Sequence, residues 1–162
     1  MSERKHAVAI EVNGAIRQAD VPARLTLVDF LREEARLTGT HVGCEHGVCG
    51  ACSVLLDGEP VRSCLMFAWQ AEGHRVTTVE GLLQPGGGLS ILQDSFCEAH
   101  ALQCGYCTPG MIIAAHALLA ANSSPSEPEI REAIAGNLCR CTGYQQVVDA
   151  VQLAARRMAE GK

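Results

Sequence analysis

The sequence has few aromatic residues and nothing typical of a membrane span or a nucleic-acid contact. Its 162 residues include only three Phe, two Tyr and one Trp, so aromatic packing contributes little to any core. No apolar run approaches the roughly 20 residues of a membrane helix, and residues 1–5 lead into a strand pattern rather than a signal-peptide core. The net charge of −5 and the lack of any Lys/Arg run argue against nucleic acid or an acidic membrane as partner. We therefore expect a cytoplasmic protein.

Cysteine, in contrast, is abundant. Eight of the nine cysteines fall into two sets of four. The first set is Cys44, Cys49, Cys52 and Cys64, and the second is Cys104, Cys107, Cys139 and Cys141. Disulfides would require an oxidising compartment and would leave one thiol over. Two metal sites with four thiolates each are the better interpretation.

The first set has the C-x4-C-x2-C…C spacing of a plant-type [2Fe–2S] cluster. Three ligands so close in sequence require unusual backbone dihedrals, which Gly43, Gly47 and Gly50 permit. Backbone N–H groups in such a loop can point at the sulfurs and stabilise the charge of about −2 on an oxidised cluster. The alternative, a zinc ribbon, usually has two well-separated C-x-x-C pairs. The spacing therefore favours iron and sulfide.

The second set consists of two pairs of cysteines, each followed by a predicted helix start. Thr108 before Pro109 has the pattern of an N-cap and a first helical residue, and Thr142 with Gln145 resembles a capping box. The positive ends of two helices would then converge on an anionic cluster. The spacing alone does not exclude a zinc site. The presence of the first set in the same chain favours iron.

The first half of the chain is predicted to contain strands and one crossing helix. Residues 8–12 alternate in hydrophobicity, and the pairs Asn13-Gly14 and Asp57-Gly58 are typical of type I′ hairpin turns. A helix is predicted from a Thr26 N-cap to about Leu37. This order of strands, helix and further strands predicts an α+β, β-grasp domain over residues 1–80.

The second half is predicted to be helical. The glycine-rich segment 81–89 is interpreted as a linker, and helices are predicted over 91–101 and 111–121. Ser126 and Glu129 form a capping box for a third helix, which ends near Gly136. A fourth helix carries an apolar stripe from Val147 to Met158. Residues 90–162 are therefore predicted to form a four-helix bundle.

Three sequence runs, 43–52 (GCEHGVCGAC), 103–111 (QCGYCTPGM) and 136–144 (GNLCRCTGY), resemble the iron–sulfur subunit of molybdenum hydroxylases. This is the xanthine dehydrogenase / carbon monoxide dehydrogenase family, and the resemblance covers nearly the whole chain. It implies an N-terminal plant-ferredoxin-like β-grasp domain and a C-terminal four-helix-bundle domain, with one [2Fe–2S] cluster in each.

The resemblance also implies an electron route. Electrons would pass from a molybdopterin cofactor in a large subunit to the C-terminal cluster, then to the N-terminal cluster, and then to FAD in a medium subunit. Gln103 matches the position that contacts the pterin, and Cys141 matches the cluster ligand nearest to it. Such complexes are heterotrimers, and a dimer of heterotrimers is expected here.

The chain itself has no G-x-G-x-x-G and no phosphate-binding Gly-Lys-Ser/Thr sequence, so substrate specificity is expected in another subunit. Purines, N-heteroaromatics, aldehydes, carbon monoxide and aromatic acyl-CoA esters all stay open as substrates. The alternative function is a free two-cluster ferredoxin that docks transiently with several partners.

The ninth cysteine, Cys97, matches no ligand position. It is predicted to be a small buried hydrophobic residue on the first helix of the second half. With Cys44, His46 and His100 it imitates the ligand pattern of a Rieske centre. That interpretation would leave three of the first four cysteines without a role.

Overall fold

The computed structural model describes residues 5–161 and combines one β-sheet with helices. The strands are β1 (Lys5–Val12), β2 (Ala15–Pro22), β3 (Ser53–Leu56), β4 (Glu59–Arg62) and β5 (Arg75–Thr77). The α-helices are α1 (Leu27–Asp29), α2 (Ile91–Glu98), α3 (Thr108–Ala121), α4 (Glu127–Ile134) and α5 (Gln145–Ala159). The predicted α+β class is confirmed. Residues 1–4 and 162 of the predicted domains lie outside the described residues.

The strands form one five-stranded sheet in the order β2-β1-β5-β3-β4. The pairs β1–β2, β3–β4 and β3–β5 are antiparallel, whereas β1 and β5 are parallel. Both predicted hairpin turns are confirmed. Asn13 and Gly14 have φ values of 52° and 78°, and Asp57 and Gly58 have values of 51° and 95°, which are the positive angles that a type I′ turn requires.

The crossing helix begins where it was predicted but ends earlier. Thr26 caps it, with Oγ1 accepting from the Asp29 backbone N–H at 3.2 Å. The helix α1 then continues as a π-helical turn, Phe30–Glu34, which packs Phe30 against the sheet core. The predicted extension to Leu37 is wrong, because Arg36 has a φ of 58°. A left-handed residue cannot continue a right-handed helix.

The four helices after residue 90 enclose a second core around α3. Helix α3 buries its residues from Gly110 to Ala115 and also Leu119. The predicted capping box before α4 is confirmed, since the Ser126 backbone N–H donates to Glu129 at 2.7 Å. No helix within residues 5–161 has both the length and the apolar character needed to span a membrane.

The two cores are in contact. Leu55 of β3 belongs to the helical core, and α3 packs against β3. The segment 83–89 between the two halves is exposed throughout. The description of this segment as a linker stays a prediction. The two halves are held together by direct packing as well as by the covalent chain.

Candidate metal centres

The loop 43–52 connects the α1 region to β3 and carries the first three thiols. Gly47 has a φ of 83°, and a Cβ atom there would lie 2.5 Å from Leu65 Cδ1. Only glycine fits such a backbone without strain. The Cys49 N–H points at Cys44 Sγ at 3.4 Å. The loop therefore has the close wrapping and sulfur-directed N–H that the sequence predicted.

The fourth thiol of this set reaches the loop through a short helical turn, Ser63–Leu65. The Ser63 hydroxyl donates to the Cys52 carbonyl oxygen at 2.6 Å, and the Ser63 N–H donates to the same oxygen at 3.3 Å. Cys52 and Cys64 are both buried and lie in one small cluster with Val28. The structure therefore brings the distant Cys64 to the loop.

The thiols of the first set differ in acidity. Hydrogen bonds from the backbone N–H groups of Cys49 and His46 lower the pKa of Cys44 to about 6. Burial and the neighbouring Cys52 raise the pKa of Cys64 to about 11. Metal ligands must be deprotonated, so Cys44 is ready to bind at neutral pH, whereas a metal must displace the proton of Cys64.

The second set lies on two turns that face each other. Cys104 and Cys107 precede α3, and Cys139 and Cys141 lie in the turn before α5. The sulfurs of Cys104 and Cys141 are 3.6 Å apart. The fold therefore brings the two pairs together, although a long stretch of sequence separates them.

Cys107 itself is the N-cap residue of α3. The predicted cap at Thr108 is wrong, since Thr108 is already inside the helix and its buried hydroxyl has no hydrogen-bond partner. Burial and the adjacent Cys139 raise the pKa of Cys107 to about 12. The pair of thiols nevertheless lies at a helix N-terminus, as the sequence indicated.

The predicted capping box at Thr142 is also wrong. The residue at the N-cap of α5 is Tyr144, with a φ of 72°. The Thr142 hydroxyl instead lies 3.2 Å from Cys139 Sγ, and the Tyr144 N–H donates to that hydroxyl at 3.2 Å. The Thr142 hydroxyl therefore contacts the Cys139 sulfur and the N-cap residue Tyr144, and it does not cap the first turn of α5.

Cys139 receives the most hydrogen bonds of the second set. Burial alone would raise its pKa, but hydrogen bonds from the Thr142 hydroxyl, from the Thr142 N–H and from the Cys141 N–H outweigh it and lower the pKa to about 7. Both N–H groups lie 3.4 Å from the sulfur. The Cys139 N–H itself donates to the Tyr144 hydroxyl at 2.9 Å. Cys139 is thus a fixed sulfur with thiolate character near neutral pH.

The donor chemistry fits iron–sulfur clusters. Each set offers four thiols, and sulfur ligation suits iron–sulfur clusters and zinc. All nine cysteines lie within residues 5–161 and are free thiols. Among those residues, no group of three or more His, Cys, Asp or Glu side chains forms a ready-made site for a metal ion. The eight ligand assignments therefore stay predictions that depend on donor chemistry and loop geometry.

The two thiol sets share one cavity of about 280 Å³. Its walls include Cys44, Cys49, Cys104, Cys107, Cys139 and Cys141. Across it, the Leu138 N–H donates to the Cys49 carbonyl oxygen at 2.8 Å. The two candidate centres are therefore neighbours.

Gly50, Gly110 and Asn137 lie where the two halves pack against each other. A role for Gly110 or Asn137 was not predicted from the sequence. A Cβ on Gly110 would lie 2.2 Å from the Gly50 carbonyl oxygen. The buried Asn137 donates through Nδ2 to the same oxygen at 3.0 Å. Gly110 lies in the sequence run 103–111, and Asn137 lies in the run 136–144. Membership of these two runs was the sequence signal that could have indicated them.

A second contact between the halves involves Tyr106. Its ring stacks on His41 with centroids 4.8 Å apart. Its hydroxyl donates to the Val42 carbonyl oxygen, and His41 Nδ1 donates to the Tyr106 carbonyl oxygen at 2.8 Å. Because Tyr106 lies between Cys104 and Cys107, this contact ties the second set to the start of the first loop.

The remaining predicted residues are at the surface. Cys141 of the second set is exposed, and so is Gln103, which precedes Cys104. Cys97 is exposed as well, so the prediction that it is buried is wrong. Leu92 and Phe96 occupy the buried face of α2, and Cys97 lies outside that face.

Comparison with known proteins agrees with this architecture. Residues 10–83 match the 2Fe-2S iron-sulfur cluster binding domain, and residues 78–152 match the [2Fe-2S] binding domain. The gamma subunit of caffeine dehydrogenase from Pseudomonas sp. (strain CBB1) is 55% identical, over 91% of this chain and 89% of that subunit. The chain belongs to the iron–sulfur subunit family of the molybdenum hydroxylases. The predicted resemblance is confirmed.

Other members of the family match over nearly their full length. The small FeS subunit of nicotinate dehydrogenase from Eubacterium barkeri is 46% identical, over 96% of this chain and 98% of that subunit. A chain of quinoline 2-oxidoreductase from Pseudomonas putida 86 superposes with a TM-score of 0.92 and is 49% identical. The match covers 98% of this chain and 99% of that one. The protein is therefore a small iron–sulfur subunit with two [2Fe–2S]-binding domains, and it is a member of an oxidoreductase family.

Proposed function

We propose that this chain is the electron-transfer subunit of a heterotrimeric molybdenum hydroxylase. One [2Fe–2S] cluster would be held by Cys44, Cys49, Cys52 and Cys64, and the other by Cys104, Cys107, Cys139 and Cys141. When bound, each cluster supplies a one-electron carrier. In this proposal, residues 1–80 form a β-grasp domain, residues 81–89 a linker and residues 90–162 a four-helix-bundle domain.

The observation that carries the proposal is the contact between the two thiol sets. The Cys49 carbonyl oxygen accepts from the amide next to Cys139, and thiols of both sets line one cavity. The residues of this chain supply position and surroundings rather than bond chemistry. Their N–H groups stabilise negative charge on Cys44 and Cys139, and burial of Cys52 and Cys64 excludes water.

The surface around the second set supports docking to a large subunit that binds molybdopterin. Gln103 and Cys141 are accessible there, as pterin contact and entry ligand must be. Leu102, Tyr106 and Leu138 are 38%, 48% and 53% exposed in the same region. Tyr106 and Leu138 line the same cavity as the second thiol set, and contiguous exposed apolar surface marks protein interaction sites. We propose that electrons enter the chain on this side.

The surface around the first set supports docking to a medium subunit that binds FAD. Val48 lies in the first loop and is 56% exposed, and Leu65, which follows Cys64, is 62% exposed. Leu65 also packs over Gly47. We propose that electrons leave the chain here and reach the flavin.

The substrate of the whole complex is proposed to be a nitrogen heterocycle. The relatives described above are named for caffeine, nicotinate and quinoline, which all contain such a ring. The substrate site belongs to the large subunit. Free thiols at all nine cysteines suit the reducing cytoplasm, and a dimer of heterotrimers is the proposed assembly.

Anaerobic copurification tests the function. The chain is produced with the large and medium subunits that accompany it, and the complex is isolated through a tag on this chain. We expect flavin and molybdenum to copurify with about four irons per chain and two distinct paramagnetic species after full reduction. A chain that elutes alone with both clusters intact would instead support the free two-cluster ferredoxin. Colourless protein containing zinc would exclude both functions.

A further inference from the structure

The hydrogen bond between Leu138 and Cys49 is a direct link between the segments that carry the two thiol sets. The Leu138 N–H donates to the Cys49 carbonyl oxygen at 2.8 Å. Cys49 belongs to the first set, and Leu138 is bonded directly to Cys139 of the second. A short series of covalent bonds on each side of this one hydrogen bond therefore connects the two sulfurs.

Asn137 holds this link in place. It is 2% exposed, and its Nδ2 donates to the Gly50 carbonyl oxygen at 3.0 Å. Gly50 and Asn137 are the immediate neighbours of Cys49 and Leu138. The Asn137–Gly50 and Leu138–Cys49 hydrogen bonds are thus adjacent and join the same two backbone segments. Loss of the Asn137 side-chain amide would remove one of the two hydrogen bonds between these neighbouring backbone segments.

The surroundings of Asn137 are closely packed and hydrogen-bonded. A Cβ on Gly50 would lie 2.5 Å from the Gly136 carbonyl oxygen and 2.6 Å from Asn137 Nδ2. Arg62 donates to the Gly136 carbonyl oxygen at 2.6 Å and to the Ser53 hydroxyl at 2.6 Å. The two backbones therefore lie too close for a side chain at Gly50, and the Gly136 carbonyl oxygen and the Ser53 hydroxyl both accept hydrogen bonds from Arg62.

We propose that Asn137 is a positioning residue that sets the rate of electron transfer between the two centres by holding the Leu138–Cys49 hydrogen bond. The inference rests on the proposed function. One electron leaves the centre held by Cys139 and arrives at the centre held by Cys49. The first centre is oxidised as the second is reduced, and no bond forms or breaks.

The Tyr106 contact is the natural comparison. It also joins the two halves, but its connection runs through the Tyr106 ring and the Val42 carbonyl group. That connection is longer than the one through Leu138. Tyr106→Phe removes the hydrogen bond and keeps the ring stacked on His41. It therefore serves as a control for a general loosening of the interface.

The test uses the assembled complex and two variants of this chain, Asn137→Ala and the control Tyr106→Phe. Flash photoreduction gives the rate of electron exchange between the centres. Redox titration followed by electron paramagnetic resonance gives the two potentials and spectra. We expect a several-fold slower exchange in Asn137→Ala at unchanged potentials, and the wild-type rate in Tyr106→Phe.

Other outcomes separate this inference from the proposed function. A wild-type rate in Asn137→Ala with both centres present would overturn the inference and leave the electron-transfer function standing. Equal slowing in Tyr106→Phe would overturn it too. If Asn137→Ala loses a centre, Arg62→Lys is measured instead, since it loosens the Gly136 backbone from the other side, and an unchanged rate would then refute the inference. Fewer than two paramagnetic species in the wild type would overturn the proposed function itself.

Discussion

Replacing Gly110 by alanine tests the fit between the two halves of the molecule most sharply. Gly110 is the third residue of α3, and a Cβ atom there would lie 2.2 Å from the Gly50 carbonyl oxygen and 2.9 Å from Asn137 Nδ2. Contacts between aliphatic carbon and carbonyl oxygen stand at about 3.3 to 3.6 Å, so the Gly50 carbonyl group must retreat by about 1 Å. The neighbour is backbone rather than a flexible side chain, so the retreat moves the first thiol loop.

The expected magnitude combines three effects. Overpacking of this kind costs about 1 to 3 kcal/mol, and a weakened bond from Asn137 to Gly50 costs about 1 kcal/mol more. Alanine favours the helix over glycine by about 1 kcal/mol. The steric effect therefore wins, and the folded state should lose about 1 to 3 kcal/mol.

Thermal unfolding under anaerobic conditions measures this loss, with helix circular dichroism and visible cluster absorbance as the two signals. A domain of this size shifts its midpoint by about 2 to 4 °C per kcal/mol, so we expect a fall of at least about 2 °C together with a changed visible spectrum. Gly88→Ala is the matched control, because its Cβ would meet nothing closer than Gln84 Oε1 at 4.0 Å. Equal or greater stability of Gly110→Ala would refute the close approach.

Three further predictions concern single side chains. Cys49→Ser should remove the N-terminal cluster and stop flavin reduction while molybdenum is still reduced in a single turnover; equal flavin reduction in wild type and variant would contradict the serial order. Glu129 has a lowered pKa because the Ser126 hydroxyl and N–H donate to it, so its contribution to stability is present above its ordinary pKa of 4.5 and is lost as the pH falls through the lower folded value. Glu129→Gln keeps the capping box and should flatten the pH dependence of the thermal midpoint below pH 4.5; an unchanged slope would exclude this role. The exposed Cys97 should react with iodoacetamide, and Cys97→Ser should keep the full iron content.

Local patterns predicted the local structure well where short-range chemistry decides the outcome. The Asn13-Gly14 turn needs positive φ angles, which these residues adopt readily, and the Ser126–Glu129 box closes within one helical turn. The end of the crossing helix and the start of α5 were predicted wrongly. In the second case the Thr142 hydroxyl has two possible partners, the backbone of the first helical turn and the Cys139 sulfur. It contacts the sulfur.

The sequence by itself thus determined the α+β class, which the structure confirms. The spacing of the cysteines predicted the two ligand sets, because residue type and separation along the chain are what distinguish one kind of cluster site from another. Only the tertiary structure decided how the sets meet. The contacts of Gly50 with Gly110 and with Asn137 join residues far apart in the chain, and no local pattern encodes a backbone approach across two cores. The exposure of Cys97 also depends on the tertiary structure, because the helices packed against α2 cover a different face of it.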